Sequence, residues 1–447
     1  MKILLVLPIS RSRSGAPNTV ARPFGRGSSL SLAQLAAVTP PGHELTLVEE
    51  YHQPVPRDET FDLVGLSINS ANVLSAYALA AHFRARGAQV VAGGIHASVC
   101  PDEVAEHVSA VVVGEGEEVW PLVLQDAARG APARRYRAER PVPLDDLPPP
   151  RRDLLALRDY SRPPLGLFVS IAATRGCPYD CAFCSVHSVF GRGFRRKNVD
   201  RVLEDVEAAR EAARGLGPMH LWFVDDTLDA DPSHAKELFD RLHSRRIRFV
   251  AMVTMRAADD EELLRLAARA GCQGVLVGLE SLDGEMLEGM GKSMNLRRDY
   301  GRCLAAFRRH GLRVQTSMIF GFPRDTPATF ETAVDFMIEK RVDVGYVNPL
   351  FPFPGTALHG QFQKEGRLLA ERFWLQDVLN PFALHRLDHM SPTEYEEAYW
   401  RALQRLCSVG AIGRRLLRPP RLSHLVPALV MNGIMRAQVR DRRVALT

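Results

Sequence analysis

The sequence predicts an α/β protein: an N-terminal doubly wound, Rossmann-like domain, a partial (β/α)6 barrel, and a mostly helical C-terminal region. Three observations support this. Short β-branched runs alternate with helical patterns over residues 1–130. A stretch rich in proline and charge follows over 131–165, and alternation then resumes for six further units over 166–358. Strands alternating with helices imply parallel sheets covered by helices.

In the first unit the strand signals are Ile3–Leu7, Leu45–Val48, Leu63–Ser67, Val90–Gly93 and Val111–Gly114, with helical spacing over Leu74–Arg86 and Glu117–Ala127. Ligands of such sheets lie beyond the carboxyl ends of the strands. Pro132, Pro141, Pro143, Pro148, Pro149, Pro150, Pro163 and Pro164 then mark an extended linker between domains. The barrel strands are read at Phe168–Ala173, Leu221–Val224, Phe249–Thr254, Val275–Leu279, Val314–Ile319 and Gly345–Asn348. Helical segments such as Val199–Arg214, His234–Ser244 and Asp259–Ala270 separate them, and chemistry is expected at the strands' carboxyl ends. Residues 359–447 read as helical, most clearly over Thr393–Leu406.

Composition narrows the function. The chain has 447 residues, 46% hydrophobic and 24% charged, which are globular proportions. The net charge of +5 is scattered, with no block that suggests nucleic acid. The apolar N-terminal run is too brief for a signal peptide, and no stretch reaches a membrane span, so a cytoplasmic location is expected. Leu422–Met435 is largely apolar, preceded by Pro419-Pro420 and flanked by Arg436, Arg440, Arg442 and Arg443. Packing against the barrel or another subunit is one expectation for it, and a peripheral membrane contact the other.

Seven cysteines in such a chain fit a reducing compartment, where clustered thiols bind metal more often than they form disulfides. Three of them stand in Cys177-Pro178-Tyr179-Asp180-Cys181-Ala182-Phe183-Cys184, directly after the first barrel strand and Thr174-Arg175-Gly176. Thiolates so close on one loop can converge on a face of an iron–sulfur cube, leaving one iron open. A zinc site would take His187 as fourth ligand. Cys100, Cys272, Cys303 and Cys407 are isolated and read as buried apolar side chains.

The spacing of the three cysteines, with Phe183 before the last, resembles the radical S-adenosylmethionine (SAM) superfamily. That resemblance implies a 4Fe-4S cluster on Cys177, Cys181 and Cys184, whose open iron chelates SAM and whose electron cleaves it to a 5′-deoxyadenosyl radical. It extends along the barrel. Phe183 stands where the family has a residue near the adenine. Phe223-Val224-Asp225-Asp226 is similar to a Phe-x-Asp-Asp segment at the SAM end, placing Asp225 and Asp226 there. Gly278-Leu279-Glu280-Ser281 resembles the segment whose carboxylate accepts from the ribose hydroxyls, and Lys292 matches a lysine common after it. Gly321-Phe322-Pro323 resembles the family's Gly-x-Pro turn, implying close approach of Gly321 and Pro323 to the adenine. Arg256 is expected to pair with a carboxylate of SAM or substrate.

The first domain resembles the cobalamin-binding domain found ahead of such barrels. The matching pieces are Asp62–Ser67, Gly93-Gly94-Ile95-His96-Ala97-Ser98 and Gly114-Glu115-Gly116-Glu117. The resemblance implies that Ser67, Gly93, Gly94, His96, Ser98, Gly114, Glu115, Gly116 and Glu117 line the corrin site. Cobalt-ligating histidines of cobalamin proteins lie in Asp-x-His-x-x-Gly, which this chain lacks; Glu50-Tyr51-His52-Gln53-Pro54-Val55 fails at both ends. Base-off cobalamin without a protein histidine is therefore expected, with His96 at the corrin periphery.

The whole resembles cobalamin-dependent radical SAM enzymes. It implies methylation of an unactivated carbon or a phosphorus centre of a small-molecule or natural-product substrate, with an electron donor such as flavodoxin or ferredoxin. Cyclisation, ring contraction or oxidation without methyl transfer is the alternative in the same chemistry. A tRNA methylthiotransferase would need three more N-terminal cysteines, and only Cys100 precedes the linker. A non-enzymatic cobalamin or metal sensor would show corrin colour without SAM cleavage.

Overall fold

The computed structural model describes residues 1–10, 28–162, 166–376, 383–417 and 424–442. Pro163, Pro164, Pro419, Pro420, Leu422 and Arg443 lie outside the described residues. The first sheet is parallel throughout. It comprises β1 (Lys2–Leu7), β2 (Glu44–Glu49), β3 (Leu63–Ser67), β4 (Gln89–Gly93), β5 (Ala110–Val113) and β6 (Arg135–Arg137), in the order β2-β1-β3-β4-β5-β6. The chain reverses its direction of travel across the sheet between β2 and β3, so a crevice opens beside β1 and β3 at their carboxyl ends.

The five sequence-read strands agree with β1–β5 to within a residue at each end. The sixth corrects the domain boundary at 130, because β6 comes from the stretch read as linker. Only Tyr136 of Arg135-Tyr136-Arg137 is buried, so the strand carries almost no apolar signal. Its hydroxyl accepts from Ala133 N (2.7 Å) and donates to Asp126 (2.9 Å), which pins it. The rest of the linker ties the two domains together. Gln34 donates to the Pro148 carbonyl (3.0 Å), Arg151 N to that of Ala33 (2.9 Å), and the buried Arg152 to that of Ser170 (2.8 Å).

The second sheet begins with a short antiparallel strand, β7 (Ser161–Arg162), on β8 (Gly166–Ile171). Past β8 a two-stranded ribbon, β9 (Thr174–Arg175) and β10 (Arg195–Arg196), brackets the cysteine loop. Then β11 (Met219–Phe223), β12 (Arg248–Val253), β13 (Cys272–Glu280), β14 (Arg313–Phe320) and β15 (Val344–Pro349) join β8 in sequence order, all parallel. These six strands form a partial barrel in which β8, flanked by β7, and β15 do not pair with each other.

The tail packs beside β15. Tyr399 on the helix Pro392–Leu406 donates to the Val347 carbonyl (2.9 Å), and Tyr395 to that of Phe320 (3.1 Å). In the helix Leu425–Arg440, the buried Asn432 donates to the Asp343 carbonyl (2.9 Å) and accepts from the buried Arg415 (2.7 Å). One face, Met431, Ile434, Met435 and Gln438, then looks into the barrel, the i, i+3, i+4, i+7 spacing of a single helix side. Packing against the barrel is thus the observed role of this segment. No helix among the described residues is long and apolar enough to cross a membrane.

Candidate functional site

A cavity of about 650 Å³ fills the mouth of the barrel. Cys177, Cys181 and Cys184 line it together. Backbone geometry shapes their loop: Gly176 has φ +85°, and a Cβ there would lie 2.1 Å from the Gly193 carbonyl oxygen. Ala182 anchors the centre of the loop, its N–H donating to Met290 O and its carbonyl accepting from Leu358 N, both 2.9 Å. Burial pushes all three thiols up, Cys181 to about 12, while the Lys292 ammonium opposes the shift. His187 is committed elsewhere: Nε2 lies 2.8 Å from the Cys177 carbonyl and Nδ1 3.2 Å from Asp180. Among the described residues no three His, Cys, Asp or Glu gather as a site for one metal ion. Three thiols spread around one cavity, with the histidine occupied, suit a polynuclear cluster better than zinc.

The two adjacent aspartates divide their tasks. Asp225 is wholly buried and accepts from Ala173 N (3.0 Å) and from the Thr174 hydroxyl (2.6 Å), so it braces the strand that enters the cysteine loop. Burial outweighs those bonds and raises its carboxyl to about 6. Asp226 instead lines the cavity; burial raises its pKa too, against a bond from the Gly176 backbone.

Glu280 ends β13 at a register shift against β14 and adopts φ +65°, a strained geometry for a non-glycine. The bend aims its carboxylate into the cavity, where Lys292 donates to Oε1 (3.0 Å) and Ser317 to Oε2 (3.3 Å). Asn348 donates onward to Ser317 (2.9 Å), so a polar ladder crosses three strands. A Cβ on Gly278 would lie 2.1 Å from Glu280 Oε1. Phe183 closes the rim, its ring 6.0 Å from the Lys292 ammonium. Ser317 and Asn348 had no motif to reveal them; Asn348 offered the signal of a polar residue in an otherwise apolar strand, while Ser317 follows Gln315 and Thr316 and did not stand out.

Five sequence-predicted SAM residues lie outside the lining: Asp225, which braces the strand entering the cysteine loop, and Arg256, Ser281, Gly321 and Pro323. Arg256 is exposed and donates to the Tyr179 hydroxyl (2.9 Å), beside a surface cleft. Ser281 is buried as an acceptor for Asp283 N (3.1 Å). Gly321 makes room for a different aromatic group: its Cβ would lie 3.0 Å from the Tyr395 ring. Its carbonyl lies 2.7 Å from His385 Nε2, and the Pro323 carbonyl accepts from Asp388 N (2.8 Å). The Gly-x-Pro turn therefore docks the tail.

A second cavity, of about 430 Å³, lies in the crevice of the first sheet. Ser67, Gly93, Gly94, Gly114, Glu115, Gly116 and Glu117 line it, as the sequence suggests. Gly94 has φ +98°, and a Cβ there would lie 2.7 Å from the Ile68 carbonyl oxygen. The helix Ile95–Val99 starts at this glycine and turns the next side chains inward, which corrects the placement of two residues. His96 is fully buried, bonded to Ser70 and Glu103 at 3.2 Å each. Ser98 donates to Gly94 O (2.8 Å) and accepts from Gly114 N (2.9 Å). Burial pushes the Glu103 carboxyl up, but bonds from His96, Tyr77 and Trp374 prevail and hold it below the usual range. Neither His96 nor Ser98 reaches the cavity.

The two cavities share the side chains of Val224 and Asp226 as a common wall. Ion pairs fix the domains around it: Arg175, two residues before Cys177, donates to Glu115 and Glu117 at 2.8 Å each, and Arg195 to Glu115 at 2.5 Å. All four are at most half exposed, so the pairs are desolvated and geometrically demanding. Residues 171–337 match the Radical SAM superfamily model. The chain is 30% identical over 329 residues to bacteriochlorophyllide d C-12(1)-methyltransferase of Chlorobaculum tepidum, covering 73% of this chain and 72% of that one. It is 27% identical to the C-8(2)-methyltransferase of the same organism, covering 92% of both. Among solved structures, TsrM of Kitasatospora setae, a radical SAM methyltransferase with cobalamin and a [4Fe-4S] cluster bound, superposes with TM-score 0.70 at 18% identity over 98% of this chain and 99% of that one. OxsB with aqua-cobalamin and SAM gives TM-score 0.68 at 12% identity, covering 98% and 80%. The chain belongs to the radical SAM superfamily, among its methyltransferases.

Proposed function

We propose that this enzyme methylates an unactivated carbon, or a phosphorus centre, of a small-molecule substrate, holding its cluster and SAM in the barrel cavity and cobalamin in the first-domain cavity. The observation that carries the proposal is the common wall. A chamber lined by three thiols meets a chamber lined by glycine-rich strand ends at Val224 and Asp226. When bound, the cluster and SAM supply a carbon-based radical and methylcobalamin supplies the methyl group, chemistry no side chain provides.

The chain's own groups hold, orient and shield. Cys177, Cys181 and Cys184 ligate the cluster. Glu280, fixed through Lys292 and Ser317, accepts from the ribose hydroxyls, and Phe183 packs beside the adenine. Asp226 faces both chambers and positions a polar group of substrate or SAM at their junction. The strand-end glycines let the corrin lie close to backbone, and Glu115 and Glu117 fix that edge to the cysteine loop through Arg175. The engagement of His96 by Ser70 and Glu103 supports reading the cobalamin as base-off, without a protein imidazole. Trp222, Met252 and Leu276, with Met431, Ile434 and Met435, exclude water and favour an apolar substrate face. A low-potential carrier of the flavodoxin or ferredoxin class supplies the electron.

The test uses SAM with an isotopically labelled methyl group and the reconstituted protein, with candidate apolar substrates. A product heavier by the labelled methyl is expected. A rearranged or oxidised product without it would replace methyl transfer by the other cobalamin outcome.

A further inference from the structure

Outside the central cavity, the described residues include a surface cleft of about 660 Å³ that the proposed reaction leaves without a task. Arg256, Arg297, Arg298 and Arg302 line it, together with two carboxylates, Asp259 and Asp299. Arg298 donates to Asp259 (2.5 Å), and Asp299 accepts from the Arg302 backbone N–H (3.0 Å) as a helix cap. Arg256 donates to the Tyr179 hydroxyl and lies within the field of Asp229, and among the described residues Arg297 and Arg302 form no ion pair, the nearby Asp259 being taken by Arg298. Some exposed arginines elsewhere are neutralised locally, as Arg210 is by Glu207, Arg214 by Glu211 and Arg241 by Asp200, whereas the cleft gathers four arginines against two carboxylates. The cleft thus keeps an uncompensated positive field.

Its position gives that field a use. Tyr179 and Met294 line both the cleft and the central cavity. Tyr179 sits in the cysteine loop itself, two residues from Cys177 and from Cys181. One layer of side chains separates an open basic surface from the thiols.

Resting on the proposed cluster assignment, we infer that this cleft is the docking surface for a small acidic one-electron carrier of the flavodoxin class. Guanidinium groups match surface carboxylates in charge and geometry, and charge complementarity speeds encounter. The docked, reduced carrier gives up one electron across the Tyr179–Met294 wall to the cluster and leaves oxidised by one electron.

The test is binding of oxidised bacterial flavodoxin to the reconstituted enzyme at several salt concentrations, followed by 5′-deoxyadenosine formation with reduced flavodoxin and with dithionite. The double variant Arg297→Glu/Arg302→Glu should bind at least about tenfold more weakly and lose flavodoxin-driven turnover. Its dithionite-driven turnover should stay at the unmodified level. Arg401→Glu, an exposed reversal outside the cleft, should bind normally. Salt-insensitive binding, wild-type affinity in the double variant, an equal loss in Arg401→Glu, or tighter binding of a single-stranded oligonucleotide than of flavodoxin would overturn the assignment. Failure of the underlying reading looks different, since the unmodified enzyme would then form no 5′-deoxyadenosine with either reductant.

Discussion

The two cavities use their polar residues in opposite ways. In the barrel, thiols and carboxylates point into the chamber, and the protein meets only part of their capacity: Glu280 has two partners for its two oxygens, and Asp226 one backbone donor. In the first domain, the polar side chains that accompany the glycines are spent on the protein itself. His96 is tied to Ser70 and Glu103, Ser98 to Gly94 and Gly114, and Glu115 and Glu117 to arginines of the barrel. What remains for a ligand there is mostly backbone and space, with Ser67 in the lining. A motif residue in the barrel is therefore read by its chemistry, and one in the first domain by the fold it enforces.

Four substitutions test that contrast, in descending order of expected effect. Arg175→Ala strands Glu117 in a largely buried site and leaves Glu115 with Arg195 alone, and a loss of about 3 kcal/mol is expected in denaturant unfolding. Gly94→Ala puts a Cβ against the Ile68 carbonyl at positive φ, costing about 1–3 kcal/mol and lowering corrinoid retained per chain. His96→Ala should cost about 1–3 kcal/mol, since Glu103 and Ser70 each lose a buried partner while Tyr77 and Trp374 stay on Glu103, yet leave corrinoid stoichiometry at saturation unchanged. An altered cobalt spectrum in that variant would return His96 to the ligand site.

The smallest effect is a pH dependence. Burial raises Asp325 to about 7, against bonds from Gly321 and Phe322 N–H. A carboxyl whose folded pKa lies above its unfolded value favours the folded state most below about 3.8, and that advantage is lost as pH rises through 7. Asp325→Asn keeps the acceptor without the charge, so the stability slope between pH 4 and 7 should flatten. An unchanged slope would assign it to other groups.

Much of this was legible in advance. Strand and helix periodicity located both sheets because apolar runs carry that signal, and the cysteine spacing marked the loop because its chemistry needs no partner distant in sequence. Strand β6 was not, having one buried side chain. Nor was the direction of His96, which depends on a helix beginning at Gly94, or the occupant of Gly321's open side, Tyr395, which lies 74 residues away in sequence. Arg175 stood in the quoted motif, but its partners across the domain boundary did not. Proximity between distant segments is a tertiary property, and short motifs do not record it.

Whether the two chambers work as one enzyme is most directly tested by anaerobic reconstitution with iron, sulfide and cobalamin, followed by SAM and a reductant. The account predicts a brown, corrinoid-loaded protein that forms 5′-deoxyadenosine, and loss of the brown colour and of that product, with corrinoid retained, when Cys177, Cys181 and Cys184 are changed to Ala. Persistence of 5′-deoxyadenosine in the triple variant, or an unmodified protein that takes up neither cluster nor corrinoid, would contradict it.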